Sequence, residues 1–519
     1  MNELITCQQR YPITTTEEQT MSKPYTLLKD HFHKLARLNH AITFLQWDQL
    51  VMMPPGGNNS RSNSIAELST MYHELLTSSY LAELLEKCMS QESDDVIKRS
   101  LVEMSRLHQQ ALCIPADLVK AQSLAGSKCE HGWRQQRKEN DWNSFLLNFK
   151  EVVNLSRQEA MARQAAAPER HETPYDALLD LYCTGDSSEL IAHIFAELKA
   201  ELPGLIEQIS ENQAAGKIVL QGPFSITSQK KLNHKLMEYL GFNFDQGRLD
   251  ESTHPFSTGD RGDHRITTRF GSEDFLNALL ATAHETGHAS YEAGLPANWH
   301  GLPIGSSRNM CLHESQSLLF EKHLFLSKAF LSFFTKSIHE CLPQTSGTPS
   351  EAIWSACSHV QPSLIRVEAD EVTYPLHVIL RFEIESKLIN GQLEASEIPG
   401  AWDERMNKYL GLSTAGNYSD GCLQDIHWTD GSFGYFPSYT LGAVNSAQLF
   451  AAVKRAHPDW NEQLGRGDIA FVRDWLKDNI WSKASSLDSQ ELIQQATGEG
   501  TNPGWFLEHL KERYNIGDQ

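Results

Sequence analysis

The chain has 519 residues, 40% hydrophobic and 21% charged, an ordinary balance for a globular protein that buries one large core or several. Its net charge of −21 comes with no basic stripe of the kind that grips phosphate backbones, which argues against nucleic-acid binding and leaves solubility as the use of the acidity. No window approaches the ~18 apolar residues of a membrane span, the polar N-terminus lacks the order of a secretory signal, and nine dispersed cysteines without a C-x-x-C pair suit reduced thiols in a cytoplasm.

Residues 1–22 are polar and rich in threonine, glutamine and glutamate. They read as a disordered extension ahead of one folded region, 23–519, with Met21 a candidate start. From there Leu28, Phe32, Leu35, Leu38, Ile42 and Leu45 recur at a helical period until Met53-Pro54-Pro55-Gly56-Gly57 breaks it. Trp47 and Asp48 at the end of that run read as a packing and a capping residue. Helical patterns resume over roughly 60–89, 94–112, 115–126, 140–165 and 187–213. Ile218-Val219-Leu220 is a short β-like patch before Gly222-Pro223, and a helix near 226–240 ends at Gly241. Phe242 to Phe270 has no helical period. Its segment His264-Arg265-Ile266-Thr267-Thr268-Arg269-Phe270 is rich in strand formers and predicts a small sheet beside the next helix.

That next helix is opened by Ser272-Glu273-Asp274 and closed by Gly294-Leu295-Pro296. Phe275, Leu276, Leu279, Leu280 and Ala283 form an apolar stripe leading into His284-Glu285-Thr286-Gly287-His288, which argues against a surface helix bearing two solvated histidines. Two histidines four apart lie about 40° apart around a helix axis and one turn apart along it, so both imidazoles can reach one metal ion. Zinc favours such ligands and, when catalytic, takes three from the protein and keeps a position for water; cobalt accepts the same donors. Glu285, directly after the first histidine, stands where a general base for that water has to be.

One more protein ligand is needed, and a second helical run from Gly305-Ser306-Ser307 to about Ser332 offers candidates. Glu314 lies 26 residues after His288, far enough for an antiparallel return. His313, Glu321 and His323 compete with it, and Glu321, seven residues on, falls on nearly the same helix face. Cys311 and Cys357, each two residues from a histidine, lack a matching second pair and read as packing residues. Helices dominate to the end, with no fixed-period repeat and no linker dividing the chain.

Several motifs, taken in order, resemble the carboxypeptidase Taq family, the M32 metallocarboxypeptidases. They are Met52-Met53-Pro54-Pro55-Gly56-Gly57, His254-Pro255-Phe256, Asp263-His264-Arg265-Ile266-Thr267, the H-E-x-x-H stretch and His313-Glu314-Ser315-Gln316. Ile365-Arg366-Val367-Glu368-Ala369-Asp370 and Gly421-Cys422-Leu423-Gln424-Asp425-Ile426-His427-Trp428 complete the series. The N-terminal extension and a slightly long approach from Gly259 to Gly262 depart from the family's pattern. The resemblance implies a mainly α, neurolysin-like zincin fold with a deep groove and a small sheet next to the zinc helix. It implies a homodimer, one zinc per chain held by His284, His288 and Glu314, and removal of single residues from peptides with a free C-terminus, with broad specificity.

The chemistry of such a site assigns further roles. Glu285 takes the water's proton and passes it to the leaving amine. A second donor to the developing oxyanion comes from Tyr435 or His427, with a packed aromatic as the plain alternative for Tyr435. Arg366 resembles the family's arginine for the substrate carboxylate; an ion pair with Asp370, four residues on, is the competing reading. Pro375 is expected to kink the helix carrying Arg366. Arg265 and His254 are further groove candidates. The alternatives in function are a zinc endopeptidase or dipeptidase of the same broad fold, and a catalytically silent peptide-binding protein.

Overall fold

The period that joins Leu28, Phe32, Leu35 and Ile42 yields a long helix, α1 (Lys23–Val51), with those side chains buried along one face. Ser22 starts it: its hydroxyl accepts from the Tyr25 amide. The computed structural model describes residues 22–213 and 218–516. Residues 1–21, and Met21 with them, lie outside the described residues, while Ser22 belongs to the folded part.

The run at 60–89 forms two helices, α2 (Asn58–Leu76) and α3 (Ser79–Gln91), because Ser78 leaves the helical conformation and caps the second through the Leu81 amide. Then follow α4 (Asp95–Leu112), α5 (Ala116–Gln136), α6 (Trp142–Ala166), α7 (Pro174–Leu179), α8 (Ser188–Asn212) and α9 (Ile226–Tyr239). α5 outruns the expected end at 126 by about three turns. Ile218-Val219-Leu220 forms no strand; Val219 is exposed and no neighbouring strand takes up its backbone.

The expected sheet is present with three strands, β1 (Gly247–Glu251), β2 (Phe256–Asp260) and β3 (Asp263–Thr268), in the order β1-β3-β2. β3 is central, parallel to β1 and antiparallel to β2. It lies on α10 (Leu276–Gly294), the helix that carries H-E-x-x-H. The Asp274 carboxylate caps α10 by accepting from the Leu276 amide, and Phe275, Leu276, Leu279 and Ala283 are buried beneath it. Each large apolar side chain so buried stabilises the fold by about 1.5–3 kcal/mol, so the histidines ride on a firmly seated helix.

The run expected from Gly305 begins later. Asn309 caps α11 (Met310–Leu318) through the Leu312 amide, and the chain continues without a break into a π-helical segment (Leu319–Phe325). Next come α12 (Lys328–Cys341), α13 (Ser350–Cys357), α14 (Tyr374–Ile389), α15 (Ile398–Leu410) and α16 (Pro437–Ala456), then shorter helices to Gly504–Arg513. α11 is held between α10 and α16. Cys311 is buried and Cys357 packs against the core, as their reading from sequence has it. Pro375 does not kink a helix. It sits in the first turn of α14, where a missing amide hydrogen costs nothing, and Arg366 lies ahead of that helix in a 3₁₀ turn, Arg366–Glu368. Among the described residues no helix is long and apolar enough to cross a membrane.

Candidate metal centre

α10 places His284 and His288 on one face, and α11 returns beside it with Glu314. One ligand atom from each of the three lies within 4.8 Å of the others. The Nε2 atoms of His284 and His288 stand 3.6 Å and 3.5 Å from the same Glu314 oxygen, Oε2. Two imidazole nitrogens and a carboxylate oxygen converging in this way are the donor set of a catalytic zinc or a similar divalent ion.

The competitors for the third position are in the next layer out. Glu321 Oε2 lies 3.0 Å from His284 Nδ1, so that nitrogen carries the hydrogen and donates, and Nε2 is the atom presented to the centre. Glu321 is in turn paired with Lys322 at 2.6 Å. His313 Nε2 lies 2.8 Å from Glu292 Oε1, which makes it the donor there and leaves His313 Nδ1 to accept from His288 Nδ1. Both histidines are thereby held in the tautomer that offers Nε2. His323 is buried away from the trio, with Nε2 3.3 Å from the Ser446 hydroxyl.

Electrostatics distinguish the two histidines. Burial pushes His288 down to about 4, so it is neutral at physiological pH. Burial acts against charge on His284 too, but Glu314 and Glu321 outweigh it and hold His284 well above its ordinary value. Burial likewise opposes charge on Glu314, and the facing His284 overcomes it, holding the carboxyl well below the usual range. Burial pushes the neighbouring Glu285 carboxyl up to about 7.

A cavity of about 260 Å³ opens beside the trio, bounded by His284, Glu314, Lys322, Tyr374 and Tyr439. Beyond Tyr374 lies a second charged cluster. The Nε and Nη2 atoms of Arg366 donate to Asp425 Oδ1 at 3.0 and 2.8 Å, and its Nη1 donates to the Tyr374 hydroxyl at 2.6 Å. Arg381 takes the other oxygen, with Nε 2.7 Å from Asp425 Oδ2. The competing reading, an Arg366–Asp370 pair, is not what forms: Arg366 pairs with Asp425, and Asp370 accepts from the amides of Val372 and Thr373 and caps that turn. Burial lowers Arg381 to about 10, which leaves it charged at neutral pH. Two guanidiniums thus share one carboxylate, with one positive charge in excess.

His427 is half-buried and packs against the Tyr435 and Phe436 rings. Burial, then Arg366, pushes it down to about 4, so it is neutral. Its Nε2 lies 3.3 Å from the Tyr439 hydroxyl. The Tyr435 ring sits between those of Tyr182 and Tyr439, with centroids 5.0 and 5.3 Å away, and feels the Glu314 charge. Tyr439, four residues on, borders the cavity together with His284 and Glu314. Sequence reasoning missed it and Tyr374; the signal was the repeat of tyrosine at positions 435 and 439 where α16 begins. The structure does not bring Arg265 or His254 to the trio. Arg265 pairs with Asp263 and lies over the Trp47 ring at 4.4 Å, tying β3 to α1, and His254 is exposed on the β1–β2 connection.

The family model described as carboxypeptidase Taq (M32) metallopeptidase matches residues 27–514. Carboxypeptidase 1 of Bacillus subtilis is 33% identical over 501 residues, 95% of this chain and 98% of its own length. Thermostable carboxypeptidase 1 of Thermus thermophilus is 35% identical over 479 residues, 90% and 94% of the two chains. The solved structure of metallocarboxypeptidase 1 of Trypanosoma cruzi superposes with a TM-score of 0.92 at 36% identity, covering 95% of this chain and 99% of that one. An M32 carboxypeptidase of Deinococcus radiodurans gives 0.91 at 32%, with the same coverage.

Proposed function

The chain belongs to the carboxypeptidase Taq (M32) metallopeptidase family and is a peptide hydrolase of that type, and from this premise we propose that it uses zinc to release single C-terminal residues from peptides with broad specificity. The observation that carries the reading is the convergence of His284, His288 and Glu314, with Glu285 buried beside them. Those three would hold the ion, zinc by the balance of its donors and cobalt as a substitute. When bound, zinc supplies a Lewis acid that polarises the scissile carbonyl and acidifies water.

The chain's own residues do the rest. Glu285 takes a proton from the attacking water and gives it to the leaving amine; its carboxyl, near neutrality before a cation lowers it, suits a group that must both accept and donate. Tyr439 borders the cavity, its ring beside that of Tyr435 and its hydroxyl 3.3 Å from Nε2 of neutral His427, so the oxyanion donor is drawn from this group. The surplus positive charge at Arg366 and Arg381 suits a substrate's terminal carboxylate, reached through Arg366 Nη1 and the Tyr374 hydroxyl. Arg265 supports the wall by fixing β3 against α1. A homodimer in the cytoplasm completes the reading.

Mass spectrometry of a peptide ladder tests it. Free-acid peptides lose residues one at a time from the C-terminus, a chelator stops this and zinc restores it, while C-terminally amidated peptides persist. Internal cleavage of the amidated peptides would replace the reading with an endopeptidase, and chelator-insensitive binding without cleavage would replace it with a peptide-binding protein.

A further inference from the structure

We infer that Gly287 and Gly442 are positioning residues that fix where the Glu314 carboxylate points, and so set the metal affinity of the centre. Glycine is a poor helix former, and its presence inside both α10 and α16 where they meet α11 calls for a local reason. On the α10 side a methyl group on Gly287 would stand 2.6 Å from the Gln316 carbonyl oxygen and 2.6 Å from the Ser317 Cα. The helix bearing both histidines and the helix bearing Glu314 are therefore as close as bare backbones permit.

On the α16 side a methyl group on Gly442 would stand 2.5 Å from Cγ and 2.7 Å from Cβ of Glu314, and 3.2 Å from its carbonyl carbon. These atoms are the root of the side chain. Turning the carboxylate clears none of them, and rotation about the first torsion moves Cγ but not Cβ, so the added methyl group forces α11 itself to shift. Its Oε2 now lies 3.5–3.6 Å from both Nε2 atoms, and a working site tolerates displacements of only about 0.5 Å. Gly287 thus sets the gap between ligand-bearing helices, and Gly442 leaves α11 where Glu314 spans it. Gly204 offers the contrast: it is also inside a helix, α8, but nothing lies within 4 Å of its added methyl.

The inference rests on the metal-centre reading, and the test keeps the two apart. Full-length protein is stripped with a chelator and titrated with zinc, and metal-free melting temperatures are measured in parallel. Gly442→Ala is expected to lose about 10- to 100-fold in zinc affinity, and Gly204→Ala none. The loss of metal-free melting temperature on Gly442→Ala should shrink when Glu314 is cut to glycine, because the clashes with Cγ and Cβ both disappear. If Gly442→Ala alone does not fold, Glu314→Gly/Gly442→Ala must. Unchanged zinc affinity in Gly442→Ala overturns the inference, as does an equal loss of melting temperature in both backgrounds or failure of both proteins to fold. A wild-type protein that binds no zinc would defeat the underlying metal-centre reading instead.

Discussion

Two incomplete charge clusters differ in their place: one borders the cavity, and the other lies behind Tyr374, which lines it. On the α10–α11 side two imidazoles face one carboxylate oxygen at 3.5 and 3.6 Å, backed by Glu321 and Glu292, an arrangement that favours positive charge between them. On the α14 side two guanidiniums share Asp425 and leave a positive charge over. The first cluster is completed by a cation and the second by an anion. Under the proposed reading these are the metal and the substrate's terminal carboxylate, so each wall is built for a partner of opposite sign, and the scissile bond lies between them.

Substitutions that separate the two walls sharpen this contrast. The largest effect is expected from Glu285→Gln, which keeps the shape and the three metal-binding side chains. Zinc content stays at one per chain while kcat falls by about 10²- to 10⁴-fold, the usual share of a general base; full turnover would remove Glu285 from the chemistry. Arg366→Ala comes next. Arg381 still satisfies Asp425, so the protein folds and binds zinc, and kcat/KM on free-acid peptides drops by about 2–5 kcal/mol, or roughly 30- to several-thousand-fold. Equal rates for variant and wild type on free-acid peptides would show that the surplus charge is not the clamp.

Glu321→Gln acts one layer out on the metal wall. It removes the charge that orients His284, and zinc affinity measured against a competing chelator should fall about 10- to 100-fold. The smallest effect concerns the loop behind the guanidinium wall. Burial pushes Glu385 up to about 7, and it accepts from Tyr175, Trp428 and the Gly434 amide. A carboxyl whose folded value is raised stays protonated in the native state where the unfolded chain has released its proton. Its contribution to stability is complete below the ordinary carboxylate range, is lost as pH climbs towards about 7, and is level above that. Urea midpoints from pH 4 to 8 should therefore fall with pH more steeply for wild type than for Glu385→Gln; parallel slopes would contradict this.

The same two walls differ in how much the sequence reveals of them. H-E-x-x-H is local: a four-residue spacing on a helix puts both imidazoles on one face, and the apolar stripe before it fixes which face is buried. Glu314 was one candidate among four from the residues alone, because choosing it needs the packing of α11 between two helices. The seven-residue spacing puts Glu321 on nearly the same face as Glu314, but that it meets His284 Nδ1 from within a π-helical segment depends on packing the spacing does not reveal. The guanidinium wall was legible only as motifs. Arg366 has a carboxylate four residues away, yet it pairs with Asp425, while Asp370 is occupied with its own turn. Pro375 begins a helix instead of bending one, since its position in the first turn depends on where the preceding chain stops being helical. The three-stranded sheet followed from β-branched composition at 264–268, whereas Ile218-Val219-Leu220 had the same composition and no strand to pair with.

Anomalous diffraction at the zinc absorption edge, on crystals of the metal-loaded protein, tests the centre most directly. One strong peak per chain, in contact with His284 Nε2, His288 Nε2 and the Glu314 carboxylate and with Glu285 beside it but uncoordinated, is the expected result. A peak held by other side chains, or by Glu321 in place of Glu314, would contradict it.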